Sequence, residues 1–261
     1  MDGDPLSALV VAAHPDDEIL GAGIRLSRRP QGRVHILHVT DGSPQDMHEA
    51  RALGIRTRQE YASIRRKELL EATGMLKIPA GNCLQFPLRD KEAYLNLPAL
   101  VVYLELVIRT LQPALVLASA YEGGHPDHDA VAFAVSVVAK RTNSFEHWEF
   151  PLYHSGANGE MVTGRFIGDE SDSDEVVIFS AEERALKRRL LVCFRTQAEI
   201  LSNFTLEREC FRRAPRYDFS EPPHAGPLLY ERWGWGISGT VWREFAAEAL
   251  TAVKCFPGVG N

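Results

Sequence analysis

The chain has 261 residues, 45% hydrophobic and 25% charged, the balance of an ordinary globular protein with apolar material enough for a substantial core. A formal charge of −6, from 29 Lys and Arg against 35 Asp and Glu, argues against general nucleic-acid binding, which needs a concentrated basic surface. Cys83, Cys193, Cys210 and Cys255 lie far apart with no C-x-x-C pair. That disfavours both a disulfide framework and a cysteine-rich zinc module and points to reduced, mostly buried thiols.

The acidic start, Met1-Asp2-Gly3-Asp4-Pro5, lacks the basic residues and apolar stretch of a secretory signal, so a cytoplasmic location is expected. Apolar runs predict strands at Leu6 to Ala12, Arg33 to Val39, Asn82 to Phe86 and Ala114 to Ala118, then at Trp148 to Tyr153 and Val176 to Phe179. Helical periodicity fits Glu18 to Arg28, Arg56 to Thr73, Leu97 to Leu111, Asp129 to Lys140 and Ala181 to Phe194, with Thr240 to Lys254 closing the chain. Such alternation implies βαβ crossovers: an α/β, Rossmann-like three-layer αβα fold, with a mostly parallel central sheet, in one domain over 1–261.

Several connecting stretches carry expectations of their own. Asp41-Gly42-Ser43-Pro44 reads as a turn, and Gln45 to Thr57 is either a loop over a pocket or plain surface. Ala157 to Glu175, rich in Gly, Ser, Asp and Glu, reads as an excursion between strands, and the part from about residue 155 onward is expected to shape the outer pocket. Charged residues and Pro113 interrupt the longest apolar region, Leu97 to Ala120, against a bilayer span. Arg65-Arg66-Lys67 and Lys187-Arg188-Arg189 read as solvated helix faces.

Two motifs carry the chemistry. His14-Pro15-Asp16-Asp17-Glu18 follows the first apolar run, and His125-Pro126-Asp127-His128 follows the run Ala114 to Ala118. Both fall at predicted carboxyl ends of strands, where α/β sheets hold ligands. Catalytic zinc takes three protein ligands and leaves one position for water, a set that His14, Asp17 and His128 supply. Asp16 is then the candidate general base. His125, oriented by Asp127, is the candidate acid and oxyanion partner, as a protonated histidine held by a carboxylate.

These same residues, Ala13-His14-Pro15-Asp16-Asp17-Glu18 with His125-Pro126-Asp127-His128, resemble the paired signature of the LmbE-like, or PIG-L-type, zinc-dependent deacetylases of N-acetylglucosamine-type sugars. The resemblance implies the same roles: His14, Asp17 and His128 on zinc, Asp16 as base, and His125 as electrophilic or acid partner with Asp127 behind it. Arg65-Arg66-Lys67-Glu68 is similar to the family's R-x-x-E helix, which makes Arg65 a candidate substrate anchor, with an ion pair on the helix surface as the alternative. Lys77 stands where members usually carry glycine, and Gly123 where some carry a tyrosine, with Tyr121 and Glu122 slightly further back. The resemblance is best over Ser7 to Tyr153. Beyond it, His154 is either a sugar contact or a satisfied structural histidine, and Trp233 and Trp235 either stack on a sugar or pack in a meander.

The resulting expectation is a metal-dependent hydrolase using Zn2+, or Fe2+ on the same ligands, to remove acetyl from an N-acetylamino sugar or conjugate. It implies a small-molecule partner, no nucleic acid and no membrane span, and leaves a homo-oligomer open. One alternative is an amidase cleaving a larger acyl group from an amino-sugar conjugate. Another is a non-catalytic sugar- or nucleotide-binding protein, for which Gly21-Ala22-Gly23 lacks the third glycine of a dinucleotide fingerprint.

Overall fold

The computed structural model describes residues 7–29, 33–168 and 175–255. Strands β1 (Ala8–Ala12), β2 (Val34–Thr40), β3 (Cys83–Leu88), β4 (Leu115–Ser119) and β5 (Glu146–Phe150) run parallel. A separate antiparallel pair follows, β6 (Tyr153–Ser155) with β7 (Met161–Thr163). Strands β8 (Glu175–Ile178) and β9 (Arg208–Arg213) then extend the main sheet antiparallel, giving the order β3-β2-β1-β4-β5-β9-β8.

Every residue of β1 and β4 is buried, which explains why both read as unbroken apolar runs. Leu9 and Val11 face a layer of α4 (Leu97–Leu111), α5 (Pro126–Thr142) and α9 (Gly239–Cys255). Ala8 and Val10 face the opposite layer, with α1 (Asp17–Ser27) and, beyond it, α3 (Arg58–Met75) and α6 (Ala181–Val192). The expected three-layer arrangement is therefore present. Because β1 lies between β2 and β4, the chain leaves it towards one side of the sheet and later returns to the other. That reversal opens a crevice at the carboxyl ends of β1 and β4.

Glycine at position 21 serves packing: a Cβ there would lie 2.0 Å from the ring of Phe150, so α1 sits on β5 only without one. The segment Ala93–Leu111 is long and apolar enough to cross a membrane by length and composition. In the fold its helical part, α4, buries Leu97, Leu100, Leu104 and Ile108 against α5 and α9. All four cysteines are free thiols, Cys83, Cys193 and Cys210 buried and Cys255 exposed.

Two expectations need correction, and one strand was missed. The single strand expected at Trp148 to Tyr153 is two, β5 and β6, because Pro151 between them has no N–H to continue a ladder. The charged strand β9 went unread, since Arg208-Glu209-Cys210-Phe211-Arg212-Arg213 offers no apolar run. Lys187 is not on a solvated face. It is 1% exposed, and its Nζ donates to Ile19 O at 2.6 Å, Leu20 O at 2.8 Å and Glu209 Oε1 at 2.7 Å. The Glu209 carboxylate in turn accepts the backbone N–H groups of Ile24 and Arg25, so a buried ion pair braces α1 from the side.

Candidate metal centre

Just beyond β1 the backbone turns sharply. Asp16 has φ 140° and ψ −31°, a conformation that strains any residue but glycine, and its carbonyl accepts the N–H groups of Ile19 and Leu20 to start α1. The strain is held by buried partners. Glu18 Oε2 accepts the Asp16 backbone N–H at 3.1 Å and is itself held by His38 Nε2 at 2.9 Å. Arg65 Nη2 donates to Pro15 O at 3.0 Å and to Asp16 Oδ2 at 2.8 Å. Beyond β4, His125 is extended, as the following proline requires, and caps α5 by accepting the Asp127 N–H on Nδ1 at 3.1 Å.

The two turns converge. His14 Nδ1 lies 3.4 Å from Asp17 Oδ2, and His128 Nε2 lies 3.2 Å from Asp17 Oδ1. The ring centroids of His14 and His128 are 5.2 Å apart, and those of His14 and His125 4.4 Å. On its other nitrogen, Nε2, His14 meets Asp90 Oδ1 at 3.2 Å and Asp127 Oδ2 at 3.3 Å. Asp90 Oδ1 also stands 3.3 Å from His125 Nε2. The Asp127 carboxylate is fixed by the N–H groups of Lys91 and Ala93 and is 4.0 Å from His125 Nδ1, so it is the backbone N–H of Asp127 that orients the ring.

Could these residues hold a metal? One nitrogen or oxygen from each of His14, Asp17 and His128 lies within 4.8 Å of the others, and all three side chains are buried. Two donors on a tetrahedral ion with bonds of about 2.0–2.1 Å are separated by about 3.3 Å. The 3.4 and 3.2 Å spacings run to the two different oxygens of Asp17, and each is close to that edge. His128 Nε2 is buried, and its 3.2 Å approach to Asp17 Oδ1 lacks hydrogen-bond geometry, the arrangement of two donors shaped for an ion. The carboxylates on the far nitrogen of His14 are the outer partners that fix a ligand's tautomer. The donor set fits a divalent cation. His14 belongs as well to a second cluster, with Asp90, His125 and Asp127.

Charges at the site are set by burial and by one another. Burial pushes the Asp16 carboxyl well above the ordinary carboxylate range, against the opposing pull of Arg65. Burial acts the same way on Asp17, but the imidazoles of His128 and His14 outweigh it and hold that carboxyl well below the ordinary range. Burial, with the charge of His14 beside it, pushes His125 down to about 4 against the pull of Asp90.

The floor opens into a cavity of about 380 Å³. Its polar side includes Asp46, His48, Glu49 and Lys91, so the stretch 45–57 does reach the pocket, partly as the short helix α2 (His48–Ala52). Lys91 Nζ lies 3.2 Å from Asp46 Oδ2 and 4.5 Å from the centre of the Trp235 ring. The apolar side includes Leu20, Tyr153, Trp233 and residues of and beyond α7 (Ala198–Leu201). Trp235 packs edge-on against His125 at 4.8 Å.

Arg65 is on no exposed helix face: it is 3% exposed and engaged with Asp16 and the carbonyls of Pro15 and Gly42, although it borders the cavity. Lys77 has φ 58°, the left-handed conformation that glycine adopts most readily, and follows the end of α3. Tyr121 lies in the core against Trp242, and Glu122 accepts the Leu152 N–H, so neither faces the metal floor. His154 is buried with Nδ1 on Ser155 O and Nε2 unpartnered among the described residues, and it borders a different cavity. Asp90 was missed. Its one sequence signal is its place just after the third parallel strand, at the same edge of the sheet as both motifs.

A family model described as PIG-L, GlcNAc-PI de-N-acetylase, matches residues 9–139. No curated protein sequence matches the chain significantly. Among solved structures, a deacetylase of the teicoplanin biosynthesis pathway is similar with TM-score 0.60 and 17% identity, over 81% of this chain and 100% of that one. The N,N'-diacetylchitobiose deacetylase of Pyrococcus horikoshii is similar with TM-score 0.58 and 19% identity, over 80% and 84% of the two chains. A 4-carboxy-2-hydroxymuconate hydratase of Pseudomonas putida is similar with TM-score 0.52 and 14% identity, over 82% and 98%. At these identities the likeness establishes the fold, and the hydratase demonstrates that this fold hosts more than one chemistry.

Proposed function

The chain belongs to the GlcNAc-PI de-N-acetylase family, PIG-L, and from that premise we propose that it is a zinc-dependent N-deacetylase of an N-acetylglucosamine-type sugar or conjugate. The observation that carries this reading is the convergence of His14, Asp17 and His128 from two strand ends on one buried point. A zinc ion held by these three residues would bring the pKa of water near neutrality and polarise a carbonyl oxygen.

Asp16 takes the proton of the attacking water. Arg65 and Glu18 fix its position, and its carboxylate borders the cavity beside His14 and Asp17. His125 carries its proton on Nε2, because Nδ1 accepts the Asp127 N–H. That Nε2 stands 3.3 Å from Asp90 Oδ1 and borders the cavity, the position of a ring that donates to the oxyanion while Asp90 holds it. Asp16 then returns the proton to the departing amine as the C–N bond breaks.

The test is acetate release from a panel of N-acetylamino sugars by the zinc-loaded protein, beside Asp16→Asn. Release by the parent and its loss in the variant are expected. No release from any member of the panel by the parent would remove the deacetylase reading.

A further inference from the structure

Across from the acidic loop, one wall of the cavity is apolar. Leu20, Tyr153, Ile200, Leu201, Phe204 and Trp233 come together there from four separate stretches of chain, five of the six beyond the family-matching residues 9–139. The wall begins at the floor, where the Tyr153 ring stands against His128 at 5.2 Å, and runs outward to Phe204 at 6.3 Å and Trp233 at 6.0 Å. Trp233 is 40% exposed.

The wall is preformed. Thr196 donates to both oxygens of Glu68 through its N–H and Oγ1, and Gln197 Nε2 donates to the Tyr61 hydroxyl at 2.7 Å. These bonds pin the turn that leads into α7 to α3. Leu20, Ile200 and Phe204 are half-buried and Trp233 is exposed, while Tyr153 and Leu201 are buried; an apolar lining with polar groups at its floor is the usual mark of a ligand contact. Away from the metal floor the cavity lining leaves an anion no unpaired Lys or Arg among the described residues, since Arg65 is paired with Asp16 and Lys91 with Asp46.

We infer that this wall is a subsite for an uncharged apolar group, aryl or alkyl, carried by the amino-sugar substrate next to its scissile amide. The inference rests on the deacetylase reading. The group's chemistry is the same whether it arrives as the sugar's aglycone or as an extended N-acyl chain.

The test compares the zinc-loaded protein on the methyl, hexyl and phenyl β-glycosides of N-acetylglucosamine, on N-hexanoylglucosamine and on N-acetylglucosamine 1-phosphate. At least one apolar substrate should exceed its small counterpart about tenfold or more in kcat/KM, the size expected for burying several methylenes. A gain on the glycosides places the group on the aglycone side, and a gain on the hexanoyl amide places it on the acyl side. The 1-phosphate should be the poorest substrate. In Trp233→Ala, whose side chain is exposed enough to remove without unfolding, and in Phe204→Ala, the ratio of apolar to small substrate should fall towards one. Binding is read independently of turnover, by tryptophan fluorescence titration with hexyl and methyl β-glucosaminide, the hexyl compound binding more tightly. Deacetylation of all substrates at similar kcat/KM, with equal binding of the two glucosaminides, would overturn the subsite and leave the deacetylase standing. Tighter hexyl binding without any turnover would remove the deacetylase reading and keep the wall.

Discussion

The floor and the outer wall of the cavity are built on opposite principles. On the floor almost every side chain is polar, buried and bonded to a neighbour that is itself bonded: Asp16 to Arg65, His14 to Asp90 and Asp127, Asp127 to two backbone amides. On the wall the side chains are apolar and partly open, and the polar bonds lie behind them, at Thr196 and Gln197. A network in which each member fixes the next holds atoms to the tolerance that catalysis needs. An apolar face asks only for the right volume and can change partner with few substitutions. On the proposed function the floor would set the reaction, and the wall what is brought to it.

Separating the two regions experimentally starts with the largest effect. Asp16→Asn should lower kcat about 10²–10⁴-fold, the range for losing a general base, with KM little changed. An equal rise in KM would move Asp16 from chemistry to binding. Next comes Lys187→Met, which lies outside the cavity lining but strips the brace from α1 and leaves Glu209 buried without its cation. A loss of about 3–5 kcal/mol in urea unfolding is expected, and a loss under ~1 kcal/mol would show the ion pair to be incidental. Asp90→Asn removes the charge facing His14 and His125 and should weaken zinc about 10–100-fold in chelator competition, where unchanged affinity would detach Asp90 from the floor.

The smallest effect lies outside both regions, at Glu122. Burial pushes the Glu122 carboxyl well above its ordinary 4.5, so the folded chain keeps a proton that the unfolded chain has released. Stability from this group is complete below pH 4.5 and is lost as pH rises towards the raised folded value. Glu122→Gln keeps an oxygen for the Leu152 N–H and removes the titration. Its Tm relative to the parent should therefore climb from acid to neutral pH. Parallel Tm curves would mean that Glu122 does not titrate on unfolding.

The same division governs what could be read from sequence. His14 to Glu18 and His125 to His128 were legible because each motif is contiguous, chemically unusual and set at the end of a buried strand, so spacing and residue type give their place, and their roles are what the proposed function assigns. Asp90 was not, because a single aspartate after a strand is indistinguishable from a turn residue until the fold brings it beside two imidazoles. Lys187 failed for the opposite reason: its basic neighbours suggested water, and only β9, itself unread, supplies the glutamate that buries it. Tyr153, Ile200, Leu201 and Phe204 are ordinary core residues by type. Their aim into a cavity is decided by contacts far apart in the chain.

The central claim, one ion gripped jointly by both motifs, is tested most directly by metal content. Purified protein loaded with zinc and freed of excess should carry one ion per chain, Asp16→Asn should carry the same, and His128→Ala should lose most of it. Full zinc in His128→Ala, or equal loss in both variants, would contradict a centre built from His14, Asp17 and His128.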